Sequence, residues 1–150
     1  MPQSLVKMLT HVVFSTKDRI DLIPPELEDN LFGYISGIVK NNDSKLIIAN
    51  GTANHIHLLI SLGKTISVSS LVGKIKRDSS TWIKTQDPKF KKFYWQNGYG
   101  AFSVSQSQAE NVINYISNQK EHHKTKDFKT EYRDFLEKYE IEYDENYLWD

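Results

Sequence analysis

A chain of 150 residues and 17.4 kDa is long enough to bury a core without disulfide or metal staples, and it suits one domain spanning 1–150. Hydrophobic residues at 39% and charged residues at 25% are ordinary globular proportions and exclude the disordered and fibrous classes. With 19 basic and 19 acidic residues the formal net charge is zero, so a polyanionic partner is favoured only locally: Lys74, Lys76, Arg77 and Lys84 cluster in mid-chain, while Glu137, Glu140, Glu142, Asp144, Glu145 and Asp150 crowd the C-terminus.

In chain order, the opening segment Met1-Pro2-Gln3-Ser4-Leu5-Val6-Lys7 has no basic stretch followed by a long apolar one. No run approaches a bilayer span, so the expected location is the cytoplasm, with no membrane partner. Residues 5 to 15 (LVKMLTHVVFS), 45 to 49 (KLIIA) and 55 to 62 (HIHLLISL) are short, apolar and rich in β-branched residues, the composition of strands. Between the first two, Leu27, Leu31, Tyr34, Ile35, Ile38 and Val39 recur at helical spacing just after Pro24-Pro25, which predicts an amphipathic helix over 26 to 41. Ser67 is placed to cap a second helix whose Val68, Leu71, Val72, Ile75, Ser79, Trp82 and Ile83 keep the 3.6 period up to Asp87-Pro88.

An aromatic stretch (Phe93-Tyr94-Trp95) and the strand-like Ala101-Phe102-Ser103-Val104 follow. The order β, α, β, β, α, β predicts an α+β fold: a ferredoxin-like split βαβ antiparallel sheet with helices on one face. Two helices are then added to the same domain. The first opens at Ser107-Gln108-Ala109-Glu110, in the form of a capping box, and runs to about His123; the second carries Phe128, Tyr132, Phe135, Leu136 and Tyr139 on one stripe. The acidic, aromatic tail 141 to 150 has no assignable structure from its pattern.

The chain has no cysteine, so any metal must be held by histidine, carboxylate or amide. Strand alternation puts His55, His57 and Leu59 on one face and Ile56, Leu58 and Ile60 on the other, with the two imidazoles roughly 7 Å apart at their bases. Such a pair can converge on one cation. By itself the spacing is unspecific, and two half-exposed strand histidines satisfy it equally well. On the third helix, about 100° of turn per residue aligns Tyr115, Gln119 and His122 along the border of the apolar face. Tyrosine can act as a covalent nucleophile, and a glutamine one turn away can offer an amide oxygen to the same cation. Equally, Tyr115 can be edge packing. Of the adjacent His122 and His123, at most one can face such a site. Lys74, Lys76 and Arg77 are candidate DNA-backbone contacts, and Trp95, Tyr99 and Phe102 are candidate base-stacking or core residues.

The segments HVVFSTKDR, HIHLLISL, KIKRDSSTWIK, YWQNGYGAFSVS and YISNQKEHHKTKDFKTEY together resemble, in this order, the signature stretches of the single-tyrosine HUH transposases of bacterial insertion sequences. The resemblance implies that His55 and His57 bind a catalytic Mg2+ or Mn2+, that Gln119 is the third ligand, and that Tyr115 is the nucleophile. It also implies transposition of single-stranded, hairpin-flanked DNA through a 5'-phosphotyrosine, by a homodimer whose composite site joins the histidines of one subunit to the tyrosine helix of the other. The residue before the first histidine is usually Asp in that family; here it is Asn54. Two other readings of the same residues stand beside this one: a non-catalytic single-stranded nucleic-acid-binding module or domesticated relative on the same fold, and a metal-binding scaffold using His55, His57, His122 and His123.

Overall fold

The computed structural model describes residues 2–150; Met1, the first residue of the opening segment read above, lies outside them. Its core is a four-stranded sheet built from β1 (Leu9–Ser15), β2 (Lys45–Gly51), β3 (His55–Ser61) and β4 (Gly100–Val104), in the order β2-β3-β1-β4 with every pair antiparallel. Helix α1 (Pro25–Asn41) joins β1 to β2, and α2 (Val68–Gln86) joins β3 to β4. This is the split βαβ order expected. Pro25 starts α1 with a preset φ, with Glu26 and Glu28 in the first turn, while the Ser67 hydroxyl caps α2 by accepting from Ser70 N–H.

The period-2 pattern of the strands sorts their residues into two layers. Val12, Phe14, Ile56, Leu58 and Ile60 pack under α1 and α2 against Leu31, Ile35, Leu71 and Ile75. The alternate set meets the C-terminal helices α3 (Ala109–Ser117), α4 (Gln119–His122) and α5 (Phe128–Lys138): Leu9, Leu59 and Val104 surround Ile116, and Val13 and Phe102 surround Phe128, Tyr132 and Leu136. Both faces of the sheet are thus covered. Trp95 is core, its indole N–H donating to Ser79 Oγ at 2.9 Å and its ring edge-on to Phe14 and Phe93. Phe102 stacks on Phe135. Neither ring is free to stack on a base.

Three expectations change. The first strand begins at Leu9 rather than Leu5, because its register ends at Leu9↔Ser61, beyond which only Met8 O still accepts from Leu62 N–H at 2.8 Å; Leu5, Val6 and Met8 are exposed. The capping box does not form: Ser107 sits in a 3-10 turn over Gln106–Gln108, its hydroxyl meets that of Ser105, and Gln108 takes the N-cap position, its side chain accepting from the Asn111 amide rather than capping a backbone N–H. The long third helix breaks at Asn118, whose side-chain N–H bonds back to Asn114 O, a local bond that competes with the helical ladder.

The tail that the pattern left unassigned buttresses α5. Trp149 packs edge-on against Phe128 and Tyr132, Arg133 makes a two-point contact with Glu145, and Arg19 donates to Trp149 O at 2.7 Å. At the β2–β3 turn, a Cβ on Gly51 would stand 2.2 Å from His55 O, so only glycine lets β2 approach the start of β3 this closely. Among the described residues no helix is long and apolar enough to cross a membrane.

Candidate metal and nucleophile site

His55 and His57 share the face of β3 that looks toward the C-terminal helices, and both are fully buried. The register places Val13 beside His57, so the neighbouring His11 reaches across, and its Nε2 lies 2.8 Å from His57 Nδ1. Helix α5 brings Glu131, also buried, into the space between the rings: its Oε1 is 2.9 Å from His57 Nε2, 3.1 Å from His123 Nε2 and 3.7 Å from His55 Nε2. Its Oε2 accepts from the Tyr115 hydroxyl and, at 3.3 Å, from the Gln119 amide. Gln119 Oε1 points at His55 Nε2 from 3.4 Å.

The outer nitrogens decide what the inner ones can do. His55 Nδ1 lies 2.8 Å from Asn54 Oδ1 and 2.9 Å from the Thr52 hydroxyl. An amide oxygen only accepts, so His55 Nδ1 carries the proton and Nε2 presents a lone pair. That lone pair faces two further acceptors, Gln119 Oε1 and Glu131 Oε1. The His55 Nε2 lone pair therefore meets two oxygens with no proton between, and a cation is what such a set of donor atoms suits. Asn54 thus fixes the orientation of the His55 ring. Four ligand atoms, from His55, His57, His123 and Glu131, lie within 4.8 Å of one another.

Burial, assisted by the neighbouring His57, pushes the His11 and His55 imidazoles down to about 3, so both are neutral at physiological pH. Burial alone would raise the Glu131 carboxyl, but hydrogen bonds from His123, His57 and Tyr115 outweigh it and hold the group well below the usual carboxylate range. Burial, then the carboxylate of Glu131, pushes the Tyr115 phenol up. The consequence is acid lability. Unfolded imidazoles take a proton near pH 6.5, whereas the folded ones wait until about pH 3, so between those values the unfolded chain binds more protons. The stabilisation is full above pH 6.5 and is lost as pH falls, at about 1.4 kcal/mol per pH unit for each histidine. Glu131 adds loss of the same sign below its ordinary 4.5. In EDTA, urea midpoints should fall steadily from pH 7 to 4.5; a flat profile would show that these imidazoles are not buried neutral.

Sequence reasoning located the histidine pair, Tyr115 and Gln119, and the structure brings all four together within one chain. It uses one of the paired histidines, as helical geometry requires, but the one is His123. His122 instead stacks on the Tyr115 ring at 4.6 Å. Glu131 and His11 were missed; the only sequence signal for Glu131 was its place one position before Tyr132 on a helix otherwise read for its apolar stripe. Lys74, Lys76 and Arg77 lie on α2, across the sheet from the histidines. Lys76 is committed to the carbonyls of Gln96, Asn97 and Gly98, Lys74 donates to Asn42, and Arg77 is exposed beside Asp78.

A ferredoxin-like sheet that offers two central-strand imidazoles to a helix-borne tyrosine and glutamine has the make-up of a nucleic-acid-cutting enzyme. Residues 4–119 match the family described as Transposase IS200 like, and the chain belongs to that family. It is 29% identical over 119 residues to the transposase for insertion sequence element IS200 of Salmonella typhimurium, covering 76% of this chain and 78% of that protein, and equally so to its Salmonella typhi counterpart. Two solved structures share the fold: a candidate transposase from Deinococcus radiodurans (TM-score 0.61, 21% identity, 79% of this chain and 98% of that one) and a REP-associated tyrosine transposase bound to a REP hairpin (TM-score 0.62, 13% identity, 82% and 73%).

Proposed function

We propose that this transposase cuts and rejoins single-stranded DNA at the hairpin-flanked ends of its element, with Tyr115 as nucleophile and with His55, His57 and Gln119 holding Mg2+ or Mn2+. The observation that carries the reading is the convergence of the Tyr115 hydroxyl, the Gln119 amide and His57 Nε2 on the two oxygens of Glu131. Bound among these side chains, a divalent ion supplies Lewis-acid polarisation and orientation of the scissile phosphate.

The residues then divide the work. Tyr115 Oη attacks phosphorus, the bond to the 3' oxygen breaks, and the strand on the 5'-phosphate side stays on the enzyme while a 3' hydroxyl departs; the reverse attack rejoins the strand without an outside energy source. Burial holds the Tyr115 proton on, and Glu131 Oε2 is the acceptor already hydrogen-bonded to it. His122 stacks on the phenol ring and fixes its plane. A cleft of about 660 Å3, lined by Tyr115, Gln108, Asn111, Ser105, Lys138 and Tyr139, leads to the nucleophile and is the path for the strand. Lys74 and Arg77, on the far side of the sheet, are assigned to DNA backbone away from the cut, and Lys76 to holding the 96–98 loop. The protein the REP-associated structure shows is bound to a hairpin, which supports hairpin DNA as the partner here. The assembly proposed is a cytoplasmic homodimer; in place of the expected composite site, in which the histidines of one copy meet the tyrosine helix of the other, each copy is assigned its own histidines and tyrosine, because Tyr115 and His57 meet on Glu131 within one chain. A binding module relying on strand aromatics is disfavoured, because Trp95 and Phe102 are buried in the two cores.

The test uses a hairpin oligonucleotide labelled at its 3' end, incubated with the protein and Mg2+ or Mn2+. A labelled covalent adduct on a denaturing gel, mapping to Tyr115 by peptide mass and suppressed by EDTA, is expected. Nicking without an adduct, or an adduct on Tyr132 or Tyr139, overturns the assignment.

A further inference from the structure

The family match ends at Gln119, and two residues of the cluster, His123 and Glu131, lie beyond it. His123, at the C-terminal end of α4, and Glu131, on α5, are eight positions apart, and the tail around Trp149 and Glu145 presses α5 onto the sheet. We infer that Glu131 and His123 are themselves metal ligands, so that this chain builds a centre of three imidazoles and one carboxylate that selects a transition ion such as Mn2+ over Mg2+. This rests on the reading that His55 and His57 hold a metal, and it extends that reading to residues and to an ion preference the family motif does not specify.

Four observations carry it. First, Glu131 Oε1 stands 2.9, 3.1 and 3.7 Å from the Nε2 atoms of His57, His123 and His55. Ligand bonds of about 2.1 Å put neighbouring ligand atoms about 3.0 Å apart in an octahedral set and about 3.4 Å apart in a tetrahedral one. The spacings therefore suit a shared ion without rearrangement of the backbone. Second, the carboxylate is buried, and among the described residues its partners are imidazoles, a phenol and an amide, with no Lys or Arg paired to it. Third, the outward nitrogens are already held, His55 Nδ1 by Asn54 and Thr52 and His57 Nδ1 by His11, which is how ligating histidines are usually oriented. Fourth, Glu131 divides its oxygens: Oε1 faces the imidazoles while Oε2 holds the Tyr115 hydroxyl. One side chain thereby ties the nucleophile to the metal within a single chain.

The donor set then sets the preference. Mg2+ favours oxygen ligands and retains water, whereas imidazole suits first-row transition ions, so three nitrogens and one carboxylate oxygen discriminate against Mg2+.

Calorimetric titration of the purified full chain with MnCl2 and with MgCl2 reads this without any DNA cleavage, and the Mn2+-induced rise in melting temperature gives a second readout. Wild type is expected to bind Mn2+ at least about 100-fold more tightly than Mg2+. Glu131→Gln and His123→Ala should each weaken Mn2+ by about 10- to 100-fold or more and lose most of the melting shift. His123 lies at a helix end with its side chain one-tenth exposed, so its variant decides the matter even where Glu131→Gln fails to fold. Folded Glu131→Gln and His123→Ala proteins that bind Mn2+ as wild type does, while His57→Ala does not, would overturn the inference and leave the histidine-pair reading intact. Equal wild-type affinity for Mg2+ and Mn2+ would overturn the ion preference. Absence of any Mn2+ binding by wild type would instead sink the underlying metal reading.

Discussion

Replacing Tyr115 with phenylalanine is expected to eliminate the covalent adduct and to lower strand nicking by at least about 10^3-fold, with the protein still folded and still binding hairpin DNA. The substitution removes one oxygen and keeps the ring. The stack on His122 at 4.6 Å and the edge contacts with Phe135 and His11 are contacts of the ring, so the packing of α3 on the sheet survives. What is lost is the hydrogen bond to Glu131 Oε2, and that oxygen keeps the Gln119 amide while Oε1 keeps His57 and His123. The stability change should therefore stay near 1 kcal/mol, measurable as a small shift of the urea midpoint. Residual nicking at the wild-type rate would mean that water, not Tyr115, attacks the phosphate. An adduct that persists would mean another tyrosine does.

The sheet and the two crossover helices were legible because they rest on local periodicity. Alternation in HIHLLISL placed His55 and His57 on one face, and the 3.6 period from Val68 to Ile83 defined α2 to within a residue or two. What periodicity does not carry is which helix covers the second face. That depends on long-range contacts such as Val13 and Phe102 with Phe128 and Tyr132, which join residues far apart in the chain. Glu131 was invisible for the same reason: a glutamate on an amphipathic helix is ordinarily solvated, and only docking of α5 against β3 turns it inward. His123 and His122 shared the helical constraint equally. The break at Asn118 changes the phase of the helix and brings His123, not His122, to the cluster. His11 is a member of the apolar run of β1 and carries no motif; its contact with His57 follows from the β1–β3 register.

His57→Ala is expected to abolish both metal binding and nicking while leaving hairpin binding within a few-fold of wild type. His57 is the ring with the shortest distance to Glu131 and the one held from behind by His11, so it stands at the centre of the cluster. Removing it deletes a ligand and leaves the buried Glu131 carboxylate and His11 Nε2 each short of a partner, with a cavity where the ring had been. A stability loss of about 2–4 kcal/mol follows from those terms, a large fraction of what a domain this size has, so the comparison belongs at low temperature with folding checked by circular dichroism. DNA affinity should persist because contacts to sugar and phosphate are spread over the surface, and those proposed on α2 lie across the sheet from the histidines. Gel shift with the hairpin, Mn2+ titration and nicking on one protein preparation separate the possibilities. Loss of nicking together with loss of hairpin binding would indicate an unfolded protein, and a folded variant that still nicks at the normal rate with Mg2+ would show that His57 is not a ligand of the catalytic ion.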